Sequence, residues 1–338
     1  MMNAYLYCDK RSLNYATNYY VSIIKDVISD FGYTFKTVHS LGEIKKASLI
    51  VTITERYFFL AKLRHPNIKT IYWAQGVGAE EAKVKLATIG QKLRYYFRLL
   101  SEPIAVKKAN LLFCVSERMV KYFEEEYGLR DKGQIMVMPC YNLPLSPEFS
   151  TKQYEQPVFA YAGNAMEWQG IDFMLDVYSI VEKSVPRAKL KLFTRDKAAF
   201  EEKLQARNIT SYEFNYVPVD VLQKELHQCK YGFIIRDNII INLVATPTKM
   251  NSYLAAYMIP IFSDGVDDFK MNINLGEYTI MATCPLEAKA VASKIVSFEN
   301  KVQDFKNYQD IVKTVFESHY SDANYKKFIK EKFIQYIQ

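Results

Sequence analysis

The sequence predicts an α/β protein of two doubly wound, Rossmann-like domains, and three observations carry that expectation. Short apolar runs alternate with helix-period segments along nearly the whole chain, the pattern of βα units around parallel sheets. Midway, Pro139, Pro144 and Pro147 and the polar run that follows to residue 156 interrupt the alternation, because prolines so close together break both helix and strand. The chain also has 338 residues, more than one typical core holds.

In the first domain, residues 1–150, strands are expected at 4–8, 48–54, 69–74, 110–115 and 134–138. A helix over 15–31 ends at Gly32, where a positive φ is cheap only without a Cβ. The second domain, 151–322, restarts with a strand at 158–162. Ile171, Met174, Leu175, Tyr178 and Val181 then recur at helical spacing, and Pro186 stops that helix. Strands at 188–194, 231–235 and 259–263 complete a second sheet. Residues 323–338 form a lysine-rich helix carrying Phe328, Phe333 and Ile337. Two such domains leave a cleft at the carboxyl ends of their strands, where ligands of these folds bind.

Composition excludes several classes. The five cysteines are scattered, with no C-x-x-C pair, and the four histidines are equally dispersed. A disulfide framework and a zinc site are therefore not expected, and a reducing compartment is. The amino terminus does not read as a signal peptide, and there is no run of about 18 apolar residues to span a membrane. These points predict a cytoplasmic protein. The net charge of +7 suits anionic partners without choosing one. No aromatic-basic recognition module argues for nucleic acid.

Two segments could hold a phosphate. In Val158-Phe-Ala-Tyr-Ala-Gly163-Asn-Ala-Met-Glu-Trp168-Gln-Gly170, a strand runs into a loop and then a helix. Gly163 allows close backbone approach, and free amides at the next helix start suit a pyrophosphate, although an ordinary βα turn has the same pattern. In Arg236-Asp-Asn-Ile-Ile-Ile-Asn-Leu-Val-Ala-Thr246-Pro-Thr248-Lys249, Pro247 fits a first helical turn with Thr246 as its cap. Thr248 and Lys249 would then face an anion together with Arg236; the alternative for Lys249 is solvated surface.

These segments, with Asn110-Leu-Leu-Phe-Cys-Val-Ser116-Glu, residues 134–139 and the run from Pro247 to Pro260, resemble the family 4 glycosyltransferases, especially those building bacterial capsule and other surface polysaccharides. The resemblance covers nearly the whole chain. It implies a GT-B fold with an acceptor-binding first domain, a nucleotide-sugar-binding second domain and a final helix crossing back to the first. It implies no cofactor and no metal, cationic side chains and amides taking the metal's place on the leaving diphosphate. The residues it points to on the donor side are Gly163, Asn164, Gln169, Arg195, Val217, Arg236, Thr246, Thr248, Lys249 and Ser252. Arg236 and Lys249 are the phosphate-stabilising pair, and no general base is named. The chain departs from the family at four positions: Asn164 and Gln169 replace its usual Arg and Lys, and Val244 and Ser252 stand where its paired glutamates do.

In the first domain Trp73-Ala-Gln75-Gly76-Val-Gly78-Ala-Glu80-Glu81 resembles a segment of capsule-building relatives. It makes Gln75, Gly76, Glu80 and Glu81 acceptor candidates, the two glutamates alternatively complementing a helix dipole. Asp9, after the first strand, either binds acceptor or caps its own turn. The next helix, from Lys85 to Ala109, carries the stripe Leu86, Ile89, Leu93, Tyr96, Phe97 and Leu100, with Lys83, Lys85, Lys92, Arg94 and Arg98 nearby. Such a helix lies either on an anionic bilayer or half-buried on its own domain. The expectation is a retaining glycosyltransferase moving a sugar from a nucleotide-sugar to a glycan or lipid-linked acceptor, cytoplasmic or peripheral on the inner membrane face. The alternative is a weakly active or non-catalytic partner subunit on the same fold.

Overall fold

A computed structural model describes residues 2–84, 86–130 and 133–338. The strands are β1 (Met2–Tyr7), β2 (Tyr33–Val38), β3 (Ala47–Thr52), β4 (Lys69–Ala74), β5 (Leu111–Cys114), β6 (Ile135–Val137), β7 (Val158–Ala162), β8 (Lys189–Phe193), β9 (Tyr212–Phe214), β10 (Tyr231–Ile234), β11 (Ile259–Ser263) and β12 (Ile280–Ala282). The helices between them are α1 (Tyr15–Asp30), α2 (Glu55–Arg64), α3 (Gly78–Lys83), α4 (Ile89–Lys108), α5 (Glu117–Tyr127), α6 (Ile171–Ser184), α7 (Lys197–Ala206), α8 (Val219–Leu226), α9 (Ile240–Leu243), α10 (Lys249–Ala255), α11 (Asp267–Asn272), α12 (Ala288–Glu299), α13 (Phe305–Ser318) and α14 (Asp322–Tyr336).

The chain divides into two compact units, and unit 1 is discontinuous: residues 1–142, 243–246 and 321–338. Its sheet runs β2-β1-β3-β4-β5-β6, with every pair parallel. Helices cover both faces of a parallel sheet, so its central strands are apolar on both sides. Leu49, Ile50, Ile71 and Leu111 through Cys114 are accordingly sealed from solvent. The polypeptide returns to this unit twice. Ser116, which caps α5, donates to the Val244 carbonyl at 2.7 Å, and the Thr246 hydroxyl accepts from the Cys140 amide at 2.8 Å. The last helix, α14, packs on α1. There Phe333 stacks on Phe31, Tyr19 donates to Asp322, and Lys326 pairs with Asp26.

Unit 2, residues 143–242 and 247–320, holds the second parallel sheet, ordered β12-β11-β10-β7-β8-β9. Phe159, Leu190, Leu192, Phe233, Ile259 and Ile261 form its interior. Much of the aromatic content is buried tyrosine, and a buried hydroxyl needs a partner. Tyr178 donates to the Ser211 carbonyl at 2.8 Å, Tyr308 to that of Met258 at 2.6 Å and Tyr154 to that of Tyr257 at 2.7 Å.

In each sheet the chain reverses its direction of progress once. In unit 1 the reversal lies between β1 and β3, and in unit 2 between β7 and β10. Loops leaving neighbouring strands at such a point diverge to opposite faces and leave a crevice at the carboxyl ends. The residues after β7 and β10, Gly163 and Arg236, are two of those singled out in the sequence.

Two helical expectations need correction. The segment read as a helix from Lys85 to Ala109 is helical from Ile89, with Thr88 capping it in a reciprocal pair with Gln91; Lys85 lies outside the described residues. Thr246 and Pro247 do not open α10. That helix starts at Lys249 after Thr248, because the Thr246 hydroxyl is taken by Cys140.

Candidate functional site

The carboxyl end of β7 carries the best-developed site. Gly163 turns the chain out of β7, its amide bonded to the Phe193 carbonyl at 3.1 Å. The loop it begins is pinned by Tyr161, whose hydroxyl donates to the Asn164 carbonyl at 2.7 Å, and by Asp196, which accepts from the Ala165 amide at 2.8 Å. The loop ends at Gly170, with φ +61°, where a Cβ would stand 2.8 Å from the Ile235 carbonyl oxygen. Only glycine holds that left-handed conformation without strain at so close an approach.

Lys249 reaches this loop from the first turn of α10. Its ammonium donates to the Gln169 side-chain oxygen at 2.6 Å and to Tyr161 Oη at 3.1 Å, and lies 4.2 Å from the Tyr161 ring centroid. It sits so close to Gly163 that a Cβ there would be 2.7 Å from Nζ. Arg236, buried at 7% exposure, donates to the Trp168 carbonyl of the same loop at 3.0 Å. Its own amide donates to Ser263 Oγ at 2.7 Å. Neither cation forms an ion pair with a carboxylate among the described residues. Burial, and then the like charge of Arg236, pushes the Lys249 ammonium well below the ordinary lysine value. Burial also lowers Arg236, against the opposing pull of Tyr161 and Asp237. Two partly desolvated cations, neither in an ion pair among the described residues, beside a glycine that exposes backbone, form a site that an anion would relax.

The other donor-side expectations are placed less closely. Asn164 is exposed and lies in the loop itself. Thr248 precedes Lys249 as the helix cap, without a side-chain cap bond, and its carbonyl accepts from the Ser252 hydroxyl at 3.1 Å. That bond turns Ser252 back onto its own helix. Val244 is fully buried. Arg195 is exposed after β8 and lies over the Tyr216 ring, 4.6 Å from its centroid, donating to that hydroxyl. Val217 follows β9, the edge strand, beyond β8. The structure therefore brings Gly163, Gln169, Arg236 and Lys249 together and leaves Arg195 and Val217 on the outer strands. Sequence reasoning missed Tyr161 and Asp196, although both stand at strand ends beside residues it used.

Unit 1 has a second cluster at the carboxyl end of β4. Gln75 is exposed there, with no hydrogen bond to the described residues. The turn beyond it is clamped from α4. Glu102, fully buried, accepts from the Gly78 amide at 2.6 Å, the Ala79 amide at 3.2 Å and the Tyr127 hydroxyl at 2.6 Å. Arg98 donates to the Gly78 carbonyl at 2.8 Å and pairs with Glu55 at 3.2 Å and Glu81 at 3.6 Å. Both glycines fit against these charges, since a Cβ on Gly76 would meet Glu81 at 2.2 Å and one on Gly78 would meet Arg98 at 3.2 Å. Burial raises the Glu102 carboxyl to about 7, against the lowering effect of its hydrogen bonds. The first amides of α3 are thus occupied by Glu102. What the loop offers a ligand is the Gln75 amide and backbone near Gly76. Glu80 pairs with Lys83 on the surface, and Asp9 accepts from the Arg11 amide at 2.8 Å, capping its own turn while staying accessible. Arg98, expected among surface cations, is instead the centre of this inner cluster. Glu55, Glu102 and Tyr127 were missed, because nothing local marks a glutamate that will be buried.

Among the described residues no three His, Cys, Asp or Glu side chains stand close enough to share a metal ion. No helix among them is long and apolar enough to cross a membrane.

No protein-family profile matches the chain, and no curated protein matches it. Solved structures do. The chain is similar to the Anabaena protein HepE in complex with UDP and glucose, at 10% identity over 99% of this chain and 100% of that one, with a TM-score of 0.74. It is similar to a sucrose-phosphate synthase of Thermosynechococcus elongatus at 14% identity, 99% and 100% coverage and a TM-score of 0.66. The glycosyltransferase WaaG, involved in lipopolysaccharide biosynthesis, gives 12% identity, 97% and 99% coverage and a TM-score of 0.64. With its two six-stranded parallel sheets and their surrounding helices, the chain has the α/β fold of the GT-B glycosyltransferases.

Proposed function

We propose that the protein is a glycosyltransferase that takes its sugar from a nucleotide-sugar. The observation that carries this is the pair Lys249 and Arg236 beside Gly163, neither ion-paired among the described residues, at the point where the unit 2 sheet reverses. A diphosphate supplies the missing negative charge, and the ammonium, guanidinium and exposed backbone stabilise it as it leaves. In this reading the bond from the sugar's anomeric carbon to the leaving phosphate oxygen breaks and a bond to an acceptor hydroxyl oxygen forms on the same face. The hydroxyl proton passes to the departing phosphate. The two cations take the role a divalent metal has elsewhere, so turnover is independent of metal. HepE is solved with UDP-glucose as well as with UDP and glucose, which supports a nucleotide-sugar as the ligand.

The acceptor side falls to Gln75, Gly76 and Asp9, with Glu80 and Glu81 helping to shape the loop. The acceptor is a glycan, in our reading one on a lipid carrier in bacterial surface polysaccharide synthesis, and the enzyme works from the cytoplasmic side. Hexosyl and N-acetylhexosaminyl donors are the classes to try. Calorimetric titration with a panel of uridine, guanosine and adenosine diphosphate sugars tests the donor reading. Saturable binding of one base class, lost in Lys249→Ala, is expected; no binding of any nucleotide-sugar refutes it.

A second reading, a non-catalytic subunit that binds a nucleotide-sugar or glycan, is favoured by one observation. Ser252 and Val244 occupy the positions of the family's glutamates, and one is bonded to its own helix while the other is buried. Tight nucleotide-sugar binding without hydrolysis or transfer to any offered acceptor would select it.

A further inference from the structure

The two faces of α4 are inverted relative to ordinary burial. The side packed on α2 and α3 carries Arg98, Ser101, Glu102, Ala105 and Val106. The opposite side is apolar and open: Ile89 is 79% exposed, Leu93 65%, Tyr96 62% and Leu100 71%. Of the stripe expected from the sequence, Phe97 turns inward, edge-on to Phe59 at 5.7 Å, and Leu86, ahead of the helix, is half-buried. Leaving these side chains in water forgoes the gain of burying them, and a contiguous exposed apolar stripe of this kind marks an interaction surface.

The charges around the stripe say what. Lys92, Arg94, Lys107 and Lys108 are exposed on the same helix, and its one acidic residue, Glu102, is buried beneath it. A second copy of the chain would set these cations against each other. A surface both apolar and anionic meets apolar stripe and cations together. We propose that the outer face of α4, from Ile89 to Lys108, docks on an anionic lipid bilayer, Ile89, Leu93, Tyr96 and Leu100 entering the headgroup boundary and Lys92, Arg94, Lys107 and Lys108 meeting lipid phosphates. Over this length the face is about 30 Å long, enough to lie in the membrane plane.

Docking by this face also fixes the position of the Gln75–Ala79 turn. Arg98 and Glu102 bond to it directly from the inner side of the same helix, so the turn stands within about one helix diameter, roughly 10 Å, of the headgroups. An acceptor bound there is reached from a lipid carrier without leaving the membrane. This last step rests on the transferase reading; the docking surface does not.

Co-sedimentation with vesicles of phosphatidylglycerol and phosphatidylcholine in equal parts, and with phosphatidylcholine alone, tests the surface. The wild type should bind the anionic vesicles at low salt and release as screening shortens from about 10 Å at 0.1 M to about 3 Å at 1 M. Leu93→Glu with Leu100→Glu, and separately Lys92→Glu with Arg94→Glu, should each weaken binding by at least about tenfold. All four sites are exposed, so both variants should fold. Titration of the same proteins with UDP reads the Lys249 site and should not change, which separates failure of docking from failure of the donor reading. Equal binding by wild type and variants, or none by wild type, overturns the proposal. So does a wild-type dimer in sedimentation velocity that the leucine variant splits, because a second copy would then cover the face.

Discussion

Replacing Lys249 by Met keeps most of the side-chain volume and removes its charge, and the structure sets the size of the effect. The ammonium has two neutral partners, Gln169 at 2.6 Å and Tyr161 at 3.1 Å. No carboxylate pairs with it among the described residues, so a bound diphosphate would be its counter-charge. A hydrogen bond to a charged group is worth about 1.5–3 kcal/mol, or roughly 10- to 150-fold in Kd. The upper half is expected, because the ammonium is packed against the Tyr161 ring and Gly163 and out of bulk water. Lys249→Arg restores charge but not fit, since the space beside Gly163 already holds Nζ tightly. The pH dependence is a second readout. Burial and Arg236 lower the Lys249 pKa in the free protein, whereas a bound diphosphate raises it. Binding therefore takes up a proton once pH exceeds the lowered free-protein value, and wild-type affinity should fall as pH rises past it, the diphosphate being ionised throughout that range. Lys249→Met should lose that slope. Calorimetry with the preferred nucleoside diphosphate, in two buffers of different ionisation enthalpy, measures affinity and proton uptake together. A Met variant that binds within about twofold of wild type, with the same slope, refutes the assignment.

Three further outcomes follow from the geometry. Treatment with EDTA should leave transfer unchanged; loss of turnover restored by magnesium or manganese would show that Lys249 and Arg236 do not replace a metal. Burial raises the Glu102 carboxyl to about 7 in the folded protein, above the ordinary glutamate value of 4.5, so between those two values the folded protein holds a proton that the unfolded chain releases. Its contribution is thus fully present below about pH 4.5 and lost as pH rises to about 7, a span of about 3 kcal/mol in order of magnitude. Denaturant midpoints across that window should fall less in Glu102→Gln than in wild type, and parallel curves would contradict the raised value. Gly170→Ala places a Cβ 2.8 Å from the Ile235 carbonyl oxygen at φ +61°, which should cost about 2 kcal/mol or more in thermal unfolding and weaken nucleotide binding by moving the Trp168 carbonyl away from Arg236.

The strands that were legible in the sequence are those buried on both faces, such as β4, β7 and β11, whose apolar runs show themselves. The missed strands are β2, with exposed residues along its middle, and the three-residue β9 and β12. They are held by neighbouring strands rather than by pattern. Gly163 and Arg236 were readable together because strand ends at a reversal point converge by topology alone, and Lys249 because it stands at a helix start. The Glu102–Arg98–Glu55 cluster was not, because it joins α4 to residues 17 to 43 positions away through tertiary packing. Periodicity also revealed that α4 has an apolar side without saying which side faces inward.

The discontinuity of unit 1 has a consequence for synthesis. Residues 2–142 leave the ribosome first, yet the helix that covers α1, with Phe333 against Phe31 and Tyr33, stands beyond all of unit 2. Unit 2 is nearly contiguous and can close as it emerges, while unit 1 waits for α14 with the α1 surface open. At about 5–20 residues per second that wait lasts on the order of ten seconds or more. The earlier-made part of unit 1 is therefore among the last to finish folding, and the apolar surface that α14 covers stays open during that interval.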